Sequence, residues 1–407
     1  MASIRKRGSS YQITAYDGYN TDGTQAKRTI TWKPEAGMTA RQIEKEVQRQ
    51  AVLFQERIDK GEYMDGNIKF QDFAEKWFVD YAEKQVRPRT YYRYKEMAQR
   101  VYEAIGHIRV DKIRPHHIVE FIGRLGEPGQ NKRTGGGLSP KTIKNYLSFI
   151  SIVLQTAVDW QMISDNPCRH VRPPRIEKTD IPCLSEEEAQ RFMALLQKEP
   201  LEYRTMMTLL LLTGMRRGEL LGLEWPDFDF KAKVLSINRT SQYVAAKGNY
   251  TDTTKTASSR RSLPLSDSLL ALLLQYKAWQ EERRAKAGEA WGPEWAEHPR
   301  LFTQWNGRPM FNNTPYRFLE NFTKRHGFPH ISVHSLRHTN ATLLISEGAD
   351  IKTVSALLGH SETSTTLNIY IHTVQKAKAA AAESLSARFL NPQTADSDAE
   401  NGGNPEE

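Results

Sequence analysis

The chain is poor in cysteine, long apolar runs and acidic surplus, and each absence excludes a class of protein. Cys168 and Cys183 are the two cysteines in 407 residues. They are too few for a disulfide framework or a zinc knuckle, and both read as small apolar fillers in a reduced compartment. The longest apolar run, near Leu209–Leu212, is much too short to cross a bilayer. The basic start Met1–Arg7 leads into no apolar stretch of the secretory kind, so a cytoplasmic protein is expected. Gly135–Gly137 lacks the Lys-Ser/Thr ending of a phosphate-binding loop and reads as a flexible loop. No nucleotide-binding motif occurs elsewhere, so no cofactor is expected.

What is present is a packable, basic chain. Apolar residues make up 39% and aromatics 10%, enough for real cores. The net charge of +9 favours a polyanionic partner, although a merely soluble basic protein would show the same excess. The length allows two or three domains.

The pattern divides the chain at residues 1–66, 67–172, 173–184, 185–373, 374–390 and 391–407. In the first segment, Tyr11–Tyr16 and Lys27–Trp32 alternate as strands, with turn signals at Asp17-Gly18 and Asp22-Gly23. A helix follows over residues 39–60, with Gly61 as its stop. Residues 67–172 read as all-helical, with Phe70, Phe73, Trp77 and Tyr81 at core spacing. A helix opens near Arg87-Pro88-Arg89-Thr90, capped by Thr90, and another opens at Ser139-Pro140. Arg87, Arg89 and Arg93, interleaved with tyrosines, and Lys141 and Lys144 near a helix start are expected to contact phosphates. Prolines from 167 to 182 mark an extended linker, and Ser185–Glu188 is a capping box. The segment beyond it alternates helices with one small antiparallel sheet around residues 233–265. Residues 374–390 are Ala-rich and helical in pattern, and the acidic end from Ala395 has the composition of a disordered tail. The expected fold is therefore multidomain and mainly α: a small N-terminal sheet plus helix, a helical domain, and a mixed α+β domain.

The chemistry concentrates late in the chain. Arg216 stands in Thr213–Leu223, Lys255 in Thr254–Leu265, His334 and Arg337 in His334-Ser335-Leu336-Arg337, His360 in Leu358-Gly359-His360, and Tyr370 ten residues further. Two arginines, a lysine and two histidines can grip one phosphodiester, and a tyrosine can attack it. Arginine remains charged and can bond two phosphate oxygens at once, which suits a transition state gaining charge on those oxygens. A helix start at His334 and Arg337 would add backbone donors. The phenol of Tyr370 needs cationic neighbours or a base such as His334, and the departing alkoxide needs a proton, for which Lys255 is the natural donor. Each residue alone has an ordinary structural explanation; the ordered set does not. His326, His330, His334 and His338 recur at helical spacing, but Gly327 and Pro329 interrupt any shared helix and no acidic ligands accompany them, so no metal is expected.

With these flanks the sequence resembles the tyrosine recombinases, the phage-integrase family, over about residues 180–390, and in layout it is most similar to integrases of conjugative transposons. The resemblance implies Arg216, Lys255, His334, Arg337 and His360 as active-site residues, Tyr370 as nucleophile, and a structural acid at Glu219. It implies a 3′-phosphotyrosine intermediate and a 5′-hydroxyl end, formed without metal or ATP. It also implies an arm-type DNA-binding domain at 1–66, a core-binding domain at 67–172 and a catalytic domain at 185–373. The partners implied are double-stranded DNA at core and arm sites, three further copies in a tetramer, and an accessory or DNA-bending protein; no membrane is involved. The 374–390 helix would dock on a neighbouring protomer, or else pack in cis. Other readings remain open: a recombinase resolving chromosome dimers, which typically lacks the 1–66 module; a type IB topoisomerase; or a non-catalytic DNA-binding protein.

Overall fold

The alternation in the first sixty residues becomes a three-stranded antiparallel sheet. In the computed structural model, which describes residues 2–19, 22–59, 67–177, 182–253, 260–359 and Ser386, strands Ser3–Arg7, Ser10–Tyr19 and Gln25–Trp32 pair in sequence order. The register sets Ile13 opposite Ile30. Ile13 and Ala15 point to one face, where Val47, Ala51, Phe54 and Ile58 of helix Ala40–Asp59 cover them. Thr39 opens that helix: its backbone N–H donates to Gln42 Oε1 at 2.8 Å. Asp17-Gly18 is not a turn. It lies within the second strand at a register shift, where Gly18 takes φ +67° and Asp17 pairs with Arg28. The Gly61 stop lies outside the described residues.

The rest of the first compact unit, which ends at Lys178, is helical. Helices Phe70–Trp77, Pro88–Val101, Pro115–Leu125 and Pro140–Asp159 enclose an aromatic core of Phe70, Phe73, Trp77, Phe78 and Phe149. Inside it, the Trp77 indole donates to Thr156 Oγ1 at 3.0 Å. Tyr81 was expected in this core and is instead 39% exposed. The helix widens into a π-helical turn at Phe78–Ala82, which shifts the helix phase so that Phe78 and Ala82 face inward and Tyr81 turns out. The helix near Thr90 starts earlier than expected: Arg87 is its N-cap and Pro88 its first residue, a position proline favours because it lacks an N–H. Ser139 caps as anticipated, accepting from the Thr142 N–H at 3.3 Å. The Gly135–Gly137 segment is tight rather than loose. A Cβ at Gly137 would lie 2.1 Å from the Gly126 carbonyl oxygen, and Gly135 O accepts from Gly129 N–H at 2.7 Å. Cys168 is buried as expected, but Cys183 is exposed and fills nothing.

The second unit runs from Thr179. Its first helix, Glu186–Leu196, carries the reciprocal Ser185–Glu188 capping box. Helix Leu201–Thr213 runs through the middle, with Met206, Met207, Leu209, Leu210 and Leu211 all buried. Helices Asp267–Ala287, Thr314–Arg325 and Val333–Ser346 pack around it. The expected single sheet is two separate ones: strands Phe228–Asp229, Val234–Ile237 and Arg261–Pro264, and a ribbon of Arg239–Val244 with Gly248–Thr253. The expected helix at 374–390 and the acidic tail lie outside the described residues. Among the described residues, no helix is long and apolar enough to cross a membrane.

Candidate active site

The site begins where the buried helix Leu201–Thr213 stops. Gly214 ends it in the left-handed region, φ +59°. The position favours glycine: besides the positive φ, a Cβ would sit 2.4 Å from Leu358 Cδ2 and 2.6 Å from Asn340 Oδ1, which would have to shift. The turn delivers Arg216 as N-cap of the short helix Arg217–Gly222. That helix lies close on the ribbon strand: a Cβ at Gly218 would meet Thr240 Oγ1 at 2.4 Å.

One buried carboxylate organises the arginines. Glu219 is 3% exposed. Its Oε1 accepts from Arg216 Nη1 at 2.8 Å, and its Oε2 accepts from the Arg216 backbone N–H at 2.9 Å and from Arg261 Nη2 at 2.9 Å. Burial alone would raise its pKa, but the hydrogen bond and charge of Arg261 and the hydrogen bonds of Arg216 hold it below the ordinary value. The same guanidinium groups reach the end of helix Ile351–Leu358. Leu357 O accepts from Arg261 Nε at 2.7 Å, Leu358 O from Arg337 Nη2 at 2.7 Å, and Gly359 O from Arg216 Nη2 at 3.0 Å. Three successive carbonyls at the negative end of a helix are each met by a different arginine.

Arg337 is the most deeply set of the three. It is 1% exposed, and its other arm donates to Gly214 O at 2.8 Å. It is the fifth residue of helix Val333–Ser346, just past the first turn in which it was expected, and its own side chain rather than the helix start supplies the donors. Burial, then the charge of Arg216, push its pKa down to about 9, still cationic at neutral pH. His334 is at the helix start, as expected, and exposed. Surrounding protein and the Arg337 and Arg216 charges keep its pKa below the usual imidazole value, so near neutral pH it can accept a proton. Its ring meets His338 edge to face at 4.7 Å, and burial with the neighbouring His334 and Arg337 lowers His338 to about 4. Met215, Arg216, Arg217, Tyr316, Ser332, Val333 and His334 line an open recess of about 290 Å³. A cationic recess with a neutral imidazole on its rim can bind an anion and take a proton from an attacking group.

The fold thus brings Arg216, His334 and Arg337 together across more than a hundred residues. Lys255, His360 and Tyr370 lie outside the described residues. The five expected DNA contacts are in the other unit: Arg89 and Arg93 exposed on helix Pro88–Val101, Lys141 and Lys144 exposed in the opening turns of helix Pro140–Asp159, and Arg87 partly buried at a cap. Arg261 was not singled out from the sequence. Its only local signal is an arginine two residues before the inward-facing Leu263 on a strand, and that does not reveal its partners.

Comparison with known proteins agrees with this architecture. The phage integrase family matches residues 182–377, and the N-terminal SAM-like domain of phage integrases matches residues 69–126. A XerC-like tyrosine recombinase of Caldanaerobacter subterraneus is 32% identical over 362 residues, 81% of this chain and 88% of that protein. The ICEBs1 integrase of Bacillus subtilis is 29% identical over 264 residues, 65% of this chain and 68% of that one. A fragment of the integrase of transposon Tn1549, solved in complex with transposon right end DNA, superposes with a TM-score of 0.63 at 23% identity, covering 79% of this chain and all of that fragment. The chain belongs to the phage integrase family, the tyrosine recombinases. It is an enzyme of DNA strand breakage and rejoining.

Proposed function

We propose that this chain is the integrase and excisionase of a mobile element, joining and releasing DNA at specific sites. The observation that carries the reading is the recess beside His334, where Arg216 lines the wall and Arg337 and Arg261 lie behind it with a single buried carboxylate among them. A scissile phosphodiester is the anion that such a recess fits, because catalysis of phosphoryl transfer is mostly positioning and charge stabilisation.

In this mechanism Arg216, Arg337 and His360 hold the non-bridging oxygens. The Tyr370 oxygen attacks phosphorus and loses its proton to His334. The bond from phosphorus to the 5′ oxygen breaks, and Lys255 protonates that oxygen. The product is a 3′-phosphotyrosine and a free 5′-hydroxyl. Attack by a second 5′-hydroxyl reverses the steps, so the bond energy is conserved and no nucleotide is consumed. Residues 1–66 would hold arm DNA, while 67–172, with Arg87, Arg89, Arg93, Lys141 and Lys144 on phosphates, would bind the core site. A homotetramer on two DNA sites in the cytoplasm completes the proposal, with the 374–390 helix joining protomers. The sheet-and-helix module at the N-terminus favours the mobile element over a chromosome-dimer resolvase. Under the resolvase reading, deleting residues 1–66 leaves recombination intact.

The test is capture of SDS-stable adducts from nicked genomic fragments, with Tyr370→Phe alongside. The expected result is protein attached to 3′ ends at a few related sequences, absent in the variant. Scattered adducts would indicate a topoisomerase, and tight binding without adducts a non-catalytic DNA-binding protein.

A further inference from the structure

Resting on that reading, we propose that Arg261 is a positioning residue that keeps the Arg216 guanidinium available to the scissile phosphate. It is placed as a link between two parts of the site. Its Nη2 binds Glu219 Oε2 at 2.9 Å, on the carboxylate that also holds Arg216, and its Nε binds Leu357 O at 2.7 Å, two residues before Gly359 and three before His360 in sequence. Its side chain is 6% exposed, so it acts through these partners rather than on DNA directly.

The charge relations explain the role. Glu219 is buried and ionised, and a buried carboxylate demands compensation. With Arg261 in place, that charge is shared between two guanidinium groups, and Arg216, whose side chain is 38% exposed, retains cationic character toward the recess. Without Arg261, the Arg216 guanidinium alone faces the Glu219 charge. It is then drawn toward Glu219 and away from the phosphate. Leu357 O also loses its donor, which loosens the end of helix Ile351–Leu358, whose next carbonyls are bound by Arg337 and Arg216. A displacement of about 1 Å at such a site costs on the order of a hundredfold in rate.

The experiment uses the full chain and duplexes carrying the cleavage sequence recovered by the adduct capture. One duplex has a normal scissile phosphodiester. The other has a methylphosphonate there, in which a methyl group replaces a non-bridging oxygen and removes the negative charge that Arg216 must neutralise. Single-turnover adduct formation is measured for wild type, Arg261→Gln, Arg261→Lys and Arg216→Ala, with thermal melting and DNA binding alongside. On the phosphodiester, Arg261→Gln is expected to be slower by roughly ten- to a hundredfold, with Arg261→Lys between it and wild type. On the methylphosphonate, the deficit of Arg261→Gln relative to wild type should shrink, in parallel with Arg216→Ala. An equal deficit on both duplexes overturns the proposal, because a purely structural defect does not sense the substrate's charge; so does a wild-type rate. If Arg261→Gln does not fold, the ratio for Arg261→Lys decides by the same criterion. Failure of the wild type to form any adduct would refute the recombinase reading itself and is distinct from both results.

Discussion

The second unit holds two ionic clusters, each gathered around a buried glutamate, and they differ in charge balance. Around Glu219, two arginines (216 and 261) bind one carboxylate and a third, Arg337, lies close enough to feel its charge, an excess of 3 − 1 = 2 cations among these residues. Around Glu224, two arginines face two acids, and the charges cancel. Arg239 Nη1 lies 2.6 Å from Asp227 Oδ2 and 3.1 Å from Glu224 Oε2, and Arg300 Nε lies 3.5 Å from Glu224 Oε1. Arg300 also donates to Gly222 O at 2.7 Å and to Thr251 Oγ1, fastening the ribbon to the body of the unit. Its pKa is lowered by burial, while Glu224 opposes the shift. A balanced cluster leaves no surplus charge and serves as a fastening. An unbalanced cluster that opens on a recess leaves positive charge for a ligand. Charge count together with exposure of one member, rather than the presence of buried arginine, distinguishes the two.

The sharpest way to break this comparison is to remove one arginine from each cluster. Arg337→Ala should reduce single-turnover cleavage by about a hundred- to a thousandfold, the scale for loss of one charge-stabilising donor. It also strips Gly214 O and Leu358 O of their donors. Arg300→Ala should instead cost about 3–5 kcal/mol of stability in urea titration, the scale for breaking a buried pair. Its cleavage per folded molecule should match wild type. If Arg300→Ala lost cleavage while its melting was unchanged, the two clusters would not differ as argued.

A smaller effect is expected at the turn that aims Arg216. Gly214→Ala forces an L-residue into the left-handed region and into contact with Leu358 and Asn340, at about 1–3 kcal/mol for the backbone alone. A urea midpoint equal to wild type would show that this turn can relax without harm.

The smallest effect is one of pH. His338 is held neutral in the fold, with a pKa near 4 against an ordinary 6.5, by burial and by His334 and Arg337. Between those values the unfolded chain binds the extra proton, so this contribution to stability is present above about pH 6.5 and is lost as pH falls toward 4. His334 shifts in the same direction. His338→Gln should therefore flatten the fall of melting temperature across that window. A slope identical to wild type would remove His338 from the account.

Local features were legible because their causes are local. The Ser139 cap, the Ser185–Glu188 box and the alternation of Tyr11–Tyr16 depend on neighbours a few residues away, and each formed as read. Errors arose where something nearby changed phase or something distant intervened. A π-turn rotated Tyr81 out of a face that regular spacing assigned to it. Gly137 became tight because the Gly126 carbonyl crosses it. Arg261 could not be recognised because its partners are 42 and 96 residues away in the chain. Composition records neither separation.

By itself the sequence determined the inventory: a basic chain, a sheet-and-helix start, a helical middle, and an ordered set of cations, histidines and a tyrosine of the tyrosine-recombinase kind. These follow from side-chain chemistry and from periodicity over a turn or two. Only the tertiary structure decided how the cations are used. Burial of Glu219 and convergence of three arginines on the carbonyl end of one helix require segments far apart in sequence to meet. Electrostatic energy depends on distance and on exclusion of water, and both quantities exist only once the chain has folded.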